Sequence, residues 1–238
     1  MSPESAHESM KEFLLQLLRS RLSPRKWDWL QEAVTIDVPP IKILSNYTAA
    51  SRRLGKLALR ITPSERAALP KENTWLRLEH WGIDEAARGA ILLSVAEAIP
   101  GQYTEIALQC YELGDSREQE SWLRGLSVLP DGQVFVQTAT DSCRTNIIPV
   151  FEAIACENPY PSLYFPELNF NQMVLKCFSN RIALSRVVGL ESRLNHELSR
   201  MADSYAQELA AARREVPKDI HLAQEQFSCR RQALNENV

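Results

Sequence analysis

Glycine is scarce in this chain, with 8 among 238 residues. That is too few for the many tight turns an all-β chain needs, so helices are the default expectation. Histidine is scarcer still. His7, His80, His196 and His221 are the full set, and no spacing places two of them on one helical face, which argues against a histidine zinc helix. Five cysteines, Cys110, Cys143, Cys156, Cys177 and Cys229, are an odd number without a Cys-x-x-Cys pair. They read as reduced thiols filling the core, not as a disulfide framework. Neither sign of charge dominates: 27 basic and 30 acidic residues are interspersed and leave a formal charge of -3. The electrostatic footprint of a nucleic-acid binder is therefore missing.

Long apolar runs are also lacking. The most apolar stretch, 90–99, is interrupted by Ser94 and Glu97 and reaches half of the roughly 20 residues a spanning helix requires. The first residues carry His7, Glu8, Lys11 and Glu12 among apolar ones, unlike a signal peptide. The expectation is a cytoplasmic protein with no membrane span. No glycine-rich phosphate loop, Gly-x-Ser-x-Gly elbow or cysteine with a nearby histidine is found, so no cofactor and no common catalytic signature is predicted.

What is present is helical periodicity. Phe13, Leu14, Leu17 and Leu18 share one face of a first helix beginning near Met10. Ser23-Pro24, Pro39-Pro40 and Thr62-Pro63-Ser64-Glu65 punctuate the chain with proline-led helix starts, the last with capping-box chemistry. Across 84–98 apolar residues point almost all round the helix, the mark of burial on several sides. Arg88 within it must either reach solvent along its flexible stem or meet a buried carboxylate. The segments 103–113 and 117–126 read as a helical hairpin joined at Gly114-Asp115-Ser116. Longer helices are predicted over 143–156, 166–180 and 192–215, the last with Leu194, Leu198, Met201, Tyr205, Leu209 and Ala212 in one stripe. A weaker polar helix over 219–234 and a charged tail follow. The predicted fold is all-α, an irregular multi-helix bundle or a short irregular α-solenoid of helical hairpins. It is read as one domain over 1–238, with less regular helices in 1–72, a core in 73–216 and a weak C-terminal helix and tail in 217–238.

Polar residues set among apolar ones between Cys143 and Phe178 are the main candidates for chemistry. On a helix through Ile148, Phe151 and Ala155, Glu152 falls within the apolar arc and Arg144 precedes it on the same face. A carboxylate buried there needs a cation or hydrogen-bond donors, so both are expected to be buried and satisfied. Asn169, Gln172 and Lys176 form a polar stripe, whereas Asn171 points the other way and is predicted to bond the turn through Asn158 and Tyr160. Two metal-like patterns are incomplete. His196-Glu197-x-x-Arg200 misses the second histidine of a zinc helix. Asn195, Ser199 and Asp203 have spacing similar to the second magnesium motif of terpenoid cyclases, but only Asp115-x-x-Glu118 stands near an aspartate-rich first motif. No metal site is predicted.

These same residues carry a family pattern: Trp81-Gly82-Ile83-Asp84-Glu85-Ala86-Ala87-Arg88, Cys143-Arg144-Thr145-Asn146, Val150-Phe151-Glu152-Ala153-Ile154-Ala155, Asn158-Pro159-Tyr160-Pro161, Phe170-Asn171-Gln172-Met173-Val174-Leu175-Lys176, and Gly189-Leu190 with Arg193, Asn195, Leu198 and Met201. From about Trp75 to Pro217 the chain resembles the EboA family. Its members are encoded beside a membrane prenyltransferase, a TatD-like hydrolase, a sugar-isomerase-like barrel and a dehydroquinate-synthase-like enzyme, in clusters tied to metabolite trafficking. The resemblance implies a helical binding or adaptor protein assisting biosynthesis or trafficking of a prenylated or aromatic small metabolite. Its partners would be that metabolite or other proteins of the same gene cluster. The alternative is an enzyme acting on such a metabolite, with Glu152 as acid or base in an apolar pocket. The candidate ligand-binding set is Arg88, Arg144, Asn146, Glu152, Asn158, Tyr160, Asn171, Lys176, Arg193 and Asn195. Near the end of the last long helix relatives read Ala-Gly-Arg where this chain has Ala212-Arg213-Arg214. Without that glycine, the helix is expected to run on by about a turn.

Overall fold

A computed structural model describes residues 3–73 and 75–224. Among them every regular element is helical, with one isolated antiparallel bridge between Ala58 and Gly82. The all-α prediction is thereby met. The chain divides into two compact units, Met1–Ile154 and Ala155–Val238.

The first unit contains α1 (Pro3–Arg19), α2 (Pro24–Val34), α3 (Pro40–Leu54), α4 (Pro63–Ala67), α5 (Ile83–Ala98), α6 (Pro100–Glu112), α7 (Ser116–Gly125), α8 (Val136–Ser142) and most of α9 (Ile148–Ala155). Proline at the first helical turn starts α2, α3, α4 and α6, where its missing N–H has no intrahelical partner to lose. The capping box predicted at α4 is formed: Thr62 Oγ1 accepts from the Glu65 N–H and the Glu65 carboxylate accepts from the Thr62 N–H. The α5 helix is the hub. It packs against α1, α2, α3, α6 and α7, and every residue from Ile83 to Val95 is buried. Each fully buried Ile or Leu in it contributes about 1.5–3 kcal/mol, so the all-round apolar pattern of this helix is accounted for by burial on all sides.

The second unit contains α10 (Tyr160–Tyr164), α11 (Glu167–Ser179), α12 (Leu190–Arg193), α13 (His196–Ala211) and α14 (His221–Gln224). Its core is α11 against α13, with α10 against α12 and α14 against α13.

Three boundary predictions are corrected. The helix predicted over 143–156 is shorter, because a turn through 143–147 separates α8, which ends at Ser142, from α9. Arg144 therefore leaves the face it was expected to share with Glu152. The helix over 192–215 is divided between α12 and α13. Asn195 is extended at φ -145° and caps α13 through Oδ1, which accepts from the Leu198 N–H. Finally, α13 does not run on past Ala212. Arg213 takes the left-handed conformation that a glycine would, at φ 53°, and the Arg214 N–H bonds back to the Leu209 carbonyl while the Arg213 N–H bonds to Ala210. This is the paired closure of a Schellman end, made here with arginine in place of glycine. Of the predicted helix over 219–234, His221–Gln224 is observed as α14. Its remainder, the charged tail and Cys229 lie outside the described residues.

An arginine held left-handed costs about 1–2 kcal/mol relative to a right-handed residue. Glycine removes that strain, but it adds unfolded-state entropy and loses a cation near a helix end. Arg213→Gly is expected to gain about 0.5–1 kcal/mol, read as a small rise in Tm by calorimetry. A fall in Tm would contradict the left-handed assignment.

Candidate functional site

Three features offer chemistry. The first lies inside the first unit, where α5 carries Asp84, Glu85 and Arg88 in full burial. The Arg88 guanidinium does not reach solvent. Its Nε donates to the Tyr47 carbonyl at 2.9 Å, one terminal nitrogen to Asp84 at 3.2 Å and Ser121 at 2.8 Å, and the other to Ser51 at 3.0 Å. Glu118 stands 3.9 Å away as a further counter-charge. Arg117 of α7 grips both Asp84 oxygens, at 3.1 and 3.0 Å. Gly82 makes room for that grip, since a Cβ there would sit 2.6 Å from Asp84 Oδ1 and 2.7 Å from Arg117. Burial pushes the Asp84 carboxyl up, but the bonds from Arg117 and Ser51 and the charges of Arg117 and Arg88 outweigh it and hold the group below the ordinary range. Asp84 is thus an anion here. Glu85 accepts from the Gly82 N–H and faces Arg124 at 3.3 Å; the ion pair exists without hydrogen-bond alignment, which leaves Glu85 Oε1 and Arg124 Nε unbonded. Nearby Cys110 is pushed up to about 12 by burial and then by the Glu118 charge, so its thiol stays protonated and is no nucleophile.

The second feature lies in the second unit. Asn171, with no exposed surface, exchanges both amide bonds with Asn195, at 3.1 and 3.0 Å. Asn195 Nδ2 also donates to the Arg193 carbonyl. Because Oδ1 of Asn195 must accept from the Leu198 N–H, the orientation of both amides is fixed by the network. Arg193 lies over the Phe170 ring at 4.7 Å and donates to the carbonyls of Pro161, Ser162 and Phe165. These carbonyls lie at the end of α10, where the Pro161 carbonyl also accepts from the Phe165 N–H and the last carbonyls of the helix lack intrahelical donors. Asn158 is buried and its Oδ1 accepts from the Tyr160 N–H, a local turn closure. Glu157, at φ 51°, is held by a two-pronged pair with Arg186 at 2.7 and 2.9 Å. Gly189 approaches so closely that a Cβ would lie 2.7 Å from Ser162, and its φ of +75° favours glycine independently.

Several predicted residues therefore fall in other places than expected. Arg144 is exposed and pairs with Asp141 at 3.2 Å, and Asn146 is exposed as well. Both follow from the turn that separates α8 from α9. Glu152 and Lys176 are half-buried. Asn171 is inside as predicted, but it bonds Asn195 instead of the 158–160 turn, where Asn158 Oδ1 accepts from the Tyr160 N–H. Tyr160 is fully buried beside Tyr164 and Phe165, and burial raises its hydroxyl above the ordinary range.

The third feature was not foreseen. A cleft of about 630 Å³ opens in the second unit where α11 and α13 end. Phe178 and Tyr205 stack at 5.9 Å along one side, joined by Ile182, Leu209 and Val216, with Arg181, Arg214 and Lys218 among its polar lining. Its volume lies within the usual range for small-molecule sites. No residue of the predicted ligand-binding set lines it.

The family model described as metabolite traffic protein EboA matches residues 10–224. The chain belongs to the EboA family. Comparison with curated proteins and with solved structures gives no match. Among the described residues of this EboA chain, no helix is long and apolar enough to cross a membrane. The motifs that carry the family resemblance, Trp81 to Arg88, Asn158 to Pro161 and Asn171 with Arg193 and Asn195, are the ones that tie buried polar groups together. Asp84, Glu85, Arg117 and Glu118 were missed as a cluster. The available signal was a carboxylate four residues before an arginine inside an apolar helix.

Replacing Asn171 with leucine strands one Asn195 donor and removes two bonds. Asn171→Leu is expected to cost about 1–3 kcal/mol, measured by urea unfolding, and a double-mutant cycle with Asn195→Ala should show coupling of about 0.5–3 kcal/mol. Additive losses would mean that the two amides do not depend on each other.

Proposed function

We propose that this EboA protein acts by binding. It is a helical binding and adaptor protein in metabolite traffic, holding a prenylated or aromatic small metabolite in the cleft beside Phe178 and Tyr205 and passing it to other proteins of its gene cluster. The observation that supports this most is the half-buried Tyr205 ring at an open cleft, stacked on the buried Phe178 and flanked by Ile182, Leu209 and Val216. An apolar or aromatic body gains from contact with such a surface in proportion to the area it covers.

The residues first picked out for ligand contact have other employment. Arg88 is enclosed by Asp84, Ser121, Ser51 and a carbonyl. Arg193 caps carbonyls, and Asn171 and Asn195 bond each other. Acid–base chemistry gains little support in the cleft. Of its two carboxylates, Asp219 accepts from the Leu184 N–H at 2.6 Å, and Glu152 is not part of the lining.

Untargeted metabolite capture on the purified protein, read by mass spectrometry, tests this reading. The wild type should retain an apolar or aromatic small molecule, and Ala183→Trp, which places an indole at the exposed rim, should lose it. Equal retention by the two proteins would remove the cleft from the account.

A further inference from the structure

The cleft has a polar side that the aromatic pair does not explain. Arg181, Arg214 and Lys218 line it against the carboxylates of Glu215 and Asp219. Asp219 is turned to the Leu184 N–H. Among the described residues, none of the three cationic side chains has a hydrogen bond or ion pair. Unpartnered cations gathered at one concavity make a positive potential there, which draws anions.

The backbone shows why these cations remain available. Arg181 stands at φ 58° just past α11, and the Ile182 and Arg181 N–H groups bond the carbonyls of Cys177 and Phe178. The same closure at α13 leaves the Leu209 and Ala210 carbonyls bonded by the Arg214 and Arg213 N–H groups. Four helix-end carbonyls in the arginines' own chain segments are thus already taken by backbone donors. The helix ends hold their arginines in place without consuming the arginine donors. A favourable helix dipole accounts for one cation at each end, but not for Lys218, which comes from the loop before α14 and lines the same cleft.

Resting on the cleft reading above, we infer that the ligand is an amphiphilic anion. Its apolar or aromatic body lies on Tyr205, which Phe178 backs from the core, and its carboxylate or phosphate lies between Arg181, Arg214 and Lys218. Planar guanidinium groups suit both head groups, because each presents paired donors to paired oxygens. Glu215 opposes a head group of high charge, so the balance of three cations against two carboxylates favours an anion of low charge.

Isothermal titration with two matched pairs of probes tests this: 2-naphthoate against 2-naphthalenemethanol, and farnesyl phosphate against farnesol. Each anion should bind at least about tenfold tighter than its alcohol. The variant R181Q/R214Q/K218Q, altered at exposed positions, should abolish that preference while leaving the alcohol's affinity unchanged. Whichever anion binds more tightly identifies the head group. Tyr205→Ala should weaken anion and alcohol alike. Equal affinities for anion and alcohol, or an unchanged preference in the triple variant, would overturn the inference, while the cleft reading would survive through the Tyr205 effect. If none of the four probes binds, the inference is likewise overturned, and metabolite capture then decides the cleft reading separately.

Discussion

A guanidinium buried in a helical core constrains everything around it. Left alone at position 88 it would cost several kcal/mol, so the helices packed on α5 must bring it acceptors. They do so from three directions: α3 supplies the Tyr47 carbonyl and Ser51, α7 supplies Ser121, and α5 itself supplies Asp84 one turn earlier. Asp84 in turn is gripped by Arg117 of α7. The positions of α3 and α7 on α5 are thereby specified by charge and bond direction, whereas apolar packing alone tolerates sliding. That α5 also buries its remaining surface against α1, α2 and α6 follows from its apolar composition.

The second unit solves a similar problem with amides. Short helices such as α10 and α12 leave many carbonyls and N–H groups without intrahelical partners. Arg193 covers the carbonyls at the end of α10, and Asn195 begins α13. Asn171 ties Asn195 to α11. The side chains that look most functional in the sequence are thus those a fold of short helices needs for closure. Removing them damages the scaffold, and an activity lost in that way would not show where the ligand sits. The cleft differs in kind, since its cations have no partner among the described residues and its half-buried Tyr205 ring lines open space, backed by the buried Phe178.

Much of the fold was legible in the sequence. The α5 pattern is apolar all round because the helix is buried all round, and the proline-led starts of α2, α3 and α4 appear where predicted. The breaks at 143–147 and 194–195 were not, although Thr145, Asn146 and Asn195 are weak helix formers and Pro149 marks a helix start, because the apolar periodicity on either side outweighs these signals. Arg213 misled in another way: its identity argues against a left-handed helix end, yet it adopts one, closed by the Arg213 and Arg214 N–H groups. Burial of Asn171 could be inferred from its helical position, but its partner could not, because Asn195 is 24 residues away and reaches it only through the break before α13. The cleft was illegible because it is made from the ends of two helices and a loop, with no contiguous motif.

Tyrosine reports on all three features at once. Tyr47 lies in the ionic core, Tyr160 in the amide core and Tyr205 in the cleft. With tyrosine rings selectively labelled, NMR spectra recorded while 2-naphthoate or farnesyl phosphate is added should move the Tyr205 resonance and leave those of Tyr47 and Tyr160 in place. Movement of Tyr47 or Tyr160 with Tyr205 unchanged would contradict the division between a polar scaffold and a separate ligand cleft.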